Sequence, residues 1–147
     1  MARERKKTWQ DKVKIVRDSF SRVSRLPGFA HSFYTNLFFL NPKIKDYFVQ
    51  TDFEHQEKAL MHGLHFLMDF LDSKNENARI QVLRIARTHS AKGMKIHPHY
   101  YYYWIEALIM TCRSEDPQWY KDLEYYWREV VSFPVSFIVS QYFNEPE

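Results

Sequence analysis

Apolar residues recur at intervals of three and four along most of this chain, so helices carry nearly all of it. Residues at that spacing return to one face of an α-helix, whose turn takes about 3.6 residues, so the apolar positions read as a stripe. Trp9, Val13, Val16, Phe20 and Val23 form the first stripe. Thr8, with Asp11 three residues on, has the pattern of a capping box at its start. Pro27-Gly28 breaks the chain, and Phe29, Phe33 and Leu37 begin a second helix. Asn41-Pro42 reads as the N-cap and first residue of a short helix reaching about Phe48. Asp52 is placed to cap a long helix with Leu60, Leu64, Leu67 and Leu71 on its apolar face. The polar stretch 72–77 is a loop. A further helix carries Ile80, Leu83 and Ile85 inward, runs to about Ala91 and meets Gly93 where a C-terminal glycine is expected. His97-Pro98 opens a helix through Tyr101, Trp104, Ile105, Leu108 and Cys112. Asp116-Pro117 opens the last, with Trp119, Leu123, Trp127, Val130 and Phe137 inward and a kink expected at Pro134.

Seven helical segments, one very short, do not suit a four-helix bundle. They suit helices crossing obliquely around a pocket. No segment alternates with the period of a strand, and only 3 glycines are present, which argues against a hairpin-rich β fold. The charge is concentrated at one end: Arg3, Arg5, Lys6 and Lys7 outweigh Glu4 by as much as the whole chain's net +3. Residues 1–7 therefore read as a basic tail expected to be disordered, ahead of one domain over 8–147, and no nucleic-acid partner is implied. Cys112 is the sole cysteine, so an internal disulfide and a thiolate zinc site are excluded, as fits a reducing cytoplasm. No apolar run approaches the roughly 18 residues that span a bilayer. A secretory signal is not expected either, because no apolar core follows the basic start.

Among the seven histidines, His89 stands out. Val82, Ile85 and His89 are spaced three and four apart, so this imidazole projects from the apolar face of its helix. An apolar wall carrying one neutral imidazole nitrogen suits haem iron. Thr88 is expected to accept a hydrogen bond from the second ring nitrogen, and Arg87 and Lys92 to meet haem propionates. His62, His65 and Asp69 share one side of a helix, but further ligands for zinc are missing. The consecutive aromatics from Tyr100 to Trp104 point all round their helix without interleaved basic residues, so core packing accounts for them better than stacking on RNA.

Two stretches carry a resemblance. Phe33-Tyr34-Thr35-Asn36-Leu37-Phe38, followed by Pro42 and Phe48, resembles the globin segment joining the second and third helices. His89-Ser90-Ala91-Lys92-Gly93-Met94-Lys95-Ile96, with Pro98, Tyr100 and Trp104, is similar to the proximal segment of bacterial single-domain globins. The similarity spans nearly all of the chain after the basic tail. It implies an all-α globin fold of about seven to eight helices packed obliquely around a haem pocket, with haem b as cofactor and His89 as the proximal ligand to iron. By the same resemblance Phe48 stacks on the haem, Tyr34 and Gln56 hydrogen-bond a bound O₂, and Leu60 restricts the distal space. Ile85, Met94, Ile96 and Tyr100 complete the expected cofactor contacts.

A second register exists, because Met61-His62-Gly63-Leu64 resembles the vertebrate distal motif. His62 lies about 200° round the helix from Leu60 at about 100° per residue, whereas Gln56, Leu60 and Leu64 share a face, so Gln56 is preferred. Where related flavohaemoglobins place a proximal glutamate, counting from Trp127 reaches Tyr142. Lacking that carboxylate, the arrangement favours reversible binding over peroxidase-like chemistry. The function implied is reversible binding of O₂, with CO and NO as further ligands, by a cytoplasmic monomer or weak homodimer. Binding takes precedence over catalysis here. The alternatives are NO dioxygenation, which needs an external reductase because no flavin or nicotinamide motif is present, gas sensing through a partner protein, and a haem-free globin fold.

Overall fold

Helix starts in this chain are set by short polar side chains that satisfy otherwise orphaned backbone N–H groups. In a computed structural model, which describes residues 5–143, Thr8 Oγ1 accepts the Asp11 N–H at 3.1 Å while the Asp11 carboxylate accepts the Thr8 N–H at 2.9 Å. That reciprocal cap begins α1, Trp9–Val23. After Pro27 and Gly28 comes α2, Phe29–Leu40. Asn41 then accepts the Lys43 N–H at 3.0 Å and starts a 3-10 helix, Pro42–Phe48. Asp52 caps α3, Phe53–Phe70, through the Glu54 and His55 N–H groups. Asn75 accepts the Ala78 N–H and caps α4, Glu76–His89. Helices α5, Tyr100–Glu115, and α6, Leu123–Ser140, complete the order, and no strand occurs among the described residues. Of the basic segment, residues 1–4 lie outside the described range; Arg5 forms an exposed pair with Asp11. Among the described residues no helix is long and apolar enough to cross a membrane.

The stripe read from α1 is the stripe that is buried: Val13, Val16, Phe20 and Val23 all face the core. Helix α1 packs on α6, α2 on α5, and α3 on α4, with α4 also reaching α6. Phe29, Phe33, Leu108, Ile109, Leu123 and Trp127 are fully buried at the centre of these pairings. Helix α4 differs from its sequence reading. Its buried face is Ala78, Val82 and Ala86, and Ile80 is half exposed. Ile80 stands two residues from both Ala78 and Val82, about 200° round the helix. The small alanines allow α4 to sit close to α3 and α6.

The start of α6 is also corrected. Asp116 does not open a helix but ends α5, because its carboxylate is already engaged. It accepts from Ser19 Oγ at 2.6 Å, from Arg22 Nε and Nη2 at 2.7 and 2.9 Å, and from the Gln118 N–H at 2.9 Å. Trp127 Nε1 donates to the same Ser19 Oγ at 2.9 Å. This network joins α1, the end of α5 and α6, and α6 begins seven residues later than Asp116, running on through Pro134 as one helix. Burial by itself would raise the Asp116 carboxyl. The hydrogen bonds from Arg22, Ser19 and the Gln118 amide outweigh it and hold the group below its ordinary value.

Asp116→Asn is expected to destabilise the fold by about 3 kcal/mol, because it leaves the Arg22 guanidinium without its counter-charge. Urea unfolding at neutral pH measures this. A carboxyl lowered in the folded state contributes its stability above its unfolded pKa and loses it as pH falls through the folded value, so the gap between wild type and variant should narrow in acid. An unchanged gap across that range would exclude the ion pair as the cause.

Candidate functional site

Five α-helices, the 3-10 helix and two connecting segments leave between them a cavity of about 620 Å³. Small-molecule sites commonly fall within roughly 300–1,000 Å³. The lining is largely apolar and contains no aspartate or glutamate.

One side of the cavity is backed by aromatic rings, of which Tyr34 and Phe48 line it. Tyr34 and Phe38 from α2, Phe48 from the 3-10 helix and Phe53 from α3 are in mutual ring contact, all six pairs having centroids 5.5–6.0 Å apart. Contacts of this kind contribute about 0.5–1.5 kcal/mol each beyond area burial, so the tetrad ties three elements together on this side. Tyr34 is buried among these rings, and Gln56, one turn into α3, donates from Nε2 to its Oη at 2.9 Å. Since the phenol oxygen accepts there, its own proton remains to be donated elsewhere. Burial pushes the Tyr34 phenol up to about 12, against a smaller opposing effect of the Gln56 hydrogen bond, so it keeps that proton at neutral pH. Leu60, one turn beyond Gln56, lines the same space.

His89 is the last residue of α4. Its Nδ1 lies 2.7 Å from the Ile85 carbonyl, one turn back. A carbonyl oxygen only accepts, so Nδ1 carries the ring proton and Nε2 keeps an unprotonated lone pair. Burial lowers the imidazole pKa, with the Ile85 bond pulling the other way, and the ring is neutral at pH 7. This corrects the expectation for Thr88, whose hydroxyl donates to the Arg84 carbonyl at 2.9 Å. A threonine hydroxyl on a helix readily bonds the carbonyl four residues back.

The segment after His89 folds onto the end of α4. The N–H groups of Met94 and Ile96 donate to the carbonyls of Thr88 and His89 at 2.8 and 3.2 Å, and Ser90 Oγ donates to the Arg87 carbonyl at 2.7 Å. Orphan carbonyls of the last turn are thereby satisfied, and Met94 and Ile96 are brought to the cavity. Gly93 serves this segment otherwise than expected. The left-handed residue is Lys95, with φ 57°, and no glycine has positive φ. A Cβ on Gly93 would lie 2.2 Å from the Thr88 carbonyl oxygen, so closeness of approach is what requires glycine.

Nine of the eleven residues expected to contact a cofactor line this cavity: Tyr34, Phe48, Gln56, Leu60, Ile85, His89, Met94, Ile96 and Tyr100. Arg87 and Lys92 do not; both are exposed. Arg87 stands two residues from Ile85 and from His89, on the far side of α4. Arg84 and Gln81 line the cavity instead, and with Ile85 and Thr88 they follow the helical spacing that would have identified them. His62 also reaches the cavity although its phase pointed away, because a second stripe of α3, with Ala59 and Phe66, borders the opening. At the place of the proximal glutamate, the Tyr142 carbonyl accepts the Ala91 N–H at 2.9 Å. His62, His65 and Asp69 form no metal cluster, and none of three or more His, Cys, Asp or Glu side chains occurs among the described residues. Instead His65 packs edge-on against Phe20.

No family model matches the chain, and no curated protein matches its sequence. One solved structure does match: a Pseudomonas aeruginosa protein described as structurally highly homologous to a human hemoglobin. The two are 24% identical with a TM-score of 0.81, over 89% of this chain and 98% of the other. The chain thus has the globin fold, as its sequence led one to expect.

Gly93→Ala should cost about 1–3 kcal/mol, the usual penalty of overpacking, since the clash is with backbone. Thermal unfolding would register the loss, and amide exchange at Met94 and Ile96 should accelerate. Unaltered exchange at both amides would mean that the segment tolerates a side chain there.

Proposed function

We propose that this chain binds haem b in the cavity, with His89 as the axial ligand, and takes up O₂ reversibly, with CO and NO as further ligands. The observation that carries this reading is the bond from His89 Nδ1 to the Ile85 carbonyl. It leaves a neutral imidazole with a free Nε2 lone pair on a largely apolar cavity, which is the donor that haem iron takes in globins. The likeness in fold to a protein described as homologous to hemoglobin supports it further.

Bound haem supplies an iron centre that accepts a diatomic gas. The rest falls to the chain. Phe48, backed by Phe38 and Phe53, presents an apolar ring to a planar macrocycle and helps exclude water. Tyr34, held by Gln56 and protonated at neutral pH, offers a hydrogen bond to a polar gas ligand. Leu60 limits the space beside it. The His89 acceptor is a neutral carbonyl rather than a carboxylate, which keeps the imidazole less basic and favours binding over peroxidase-like turnover. A role in NO dioxygenation would require an external reductase. A cytoplasmic monomer or weak homodimer, with the gases as its partners, completes the proposal.

Haemin titration followed by absorption spectra, ferric, ferrous and CO-bound, tests the reading. Wild type should give the spectrum of a histidine-ligated haem protein, and His89→Ala should lose it. Equal spectra from both, or none from wild type, would overturn the assignment. Tyr34→Phe is expected to speed O₂ dissociation about tenfold, as the loss of one hydrogen bond of about 1.4 kcal/mol implies. Flash photolysis measures that rate, and no change would remove Tyr34 from the role.

A further inference from the structure

The cavity is lined without any carboxylate, yet its border between α3 and α4 is cationic. Arg84 is the sole lysine or arginine on the lining, and its side chain is exposed. Gln81 precedes it by three residues on α4, and both reach the cavity. His62 on α3 lines the same cavity. The two helices come close at this point: a Cβ on Gly63 would be 3.8 Å from Ile85 Cδ1, and His62 and Arg84 are the immediate chain neighbours of those two residues. Among the described residues no carboxylate pairs with Arg84.

An apolar cavity bordered by an unpaired guanidinium, an amide and an imidazole has the chemistry of a site for a carboxylate-bearing amphiphile. The apolar body is buried while the carboxylate stays at the border, where a guanidinium can hold it through two parallel hydrogen bonds. We propose that Arg84, assisted by Gln81 and His62, is the carboxylate-recognising group of this cavity. In the haem reading, on which this rests, the carboxylate is a haem propionate. This places at Arg84 the anchoring that the sequence suggested for Arg87 and Lys92. A fatty-acid carboxylate would present the same chemistry to the same residues.

The experiment titrates the full chain with haemin, haemin dimethyl ester and a long-chain fatty acid, for wild type, Arg84→Ala, Arg84→Lys and the control Arg87→Ala. Circular dichroism verifies that each variant is folded, which the exposure of both arginines favours. Arg84→Ala should weaken haemin binding about tenfold, the loss of one charge-assisted hydrogen bond, while leaving the dimethyl ester unaffected. Arg84→Lys should recover part of the loss, and Arg87→Ala should match wild type. Equal haemin affinity in Arg84→Ala and wild type, or an equal loss for the ester, would overturn the proposal. If wild type binds fatty acid through Arg84 but does not bind haemin, carboxylate recognition stands and the haem reading fails. If it binds neither, both fall.

Discussion

The hydrogen bond from His89 Nδ1 to the Ile85 carbonyl is the constraint on which the site turns. It fixes which ring nitrogen carries the proton, and so which is left with a lone pair. Its acceptor belongs to the same helix, one turn earlier, so ring and backbone move as one unit. The surroundings of the ring depend also on α4 ending at His89, since a longer helix would not let the chain beyond turn back. Instead the 90–96 segment returns onto the carbonyls of the last turn. Gly93 permits that return by having no Cβ to strike Thr88.

Keeping a cavity of this size inside a small domain has a cost, since packed interiors leave few voids. The chain meets it away from the cavity. Close packing of α1 on α6 and of α2 on α5 buries Trp127, Phe29, Phe33 and Leu108 completely. The Asp116 network then locks α1, the end of α5 and α6 with charge-assisted bonds, on residues that do not line the cavity. The aromatic tetrad does similar work at the other end, where the short 3-10 helix would otherwise have little to hold it. Much of the stability thus comes from residues that do not line the cavity.

Much of the site was legible before folding because its residues lie at helical spacings. Ile85 and His89 are four apart, as are Gln56 and Leu60, and such pairs share a face wherever the helix sits. The residues that were misplaced fail for specific reasons. Arg87 is adjacent in sequence to useful neighbours but out of phase with them. His62 is out of phase with Leu60 yet reaches the cavity, because the opening wraps around two stripes of α3. Ile80 has the right chemistry for a core but loses its place to Ala78, whose small side chain lets helices approach.

What the sequence alone determined is local: the helices, most of their caps, the stripe that most of them bury, and the spacing that makes His89, Tyr34 and Gln56 candidates. These follow from interactions within a few residues, where the 3.6-residue repeat dictates geometry. The tertiary structure decided what depends on distant partners. Asp116 became the acceptor for Ser19 and Arg22, more than ninety residues away, and so could not open a helix. Gln56 donates to Tyr34 across two helices, which leaves the phenol's own proton to be donated elsewhere. The cation at the cavity border is Arg84, because only the packing of α3 against α4 determines which face of α4 looks inward.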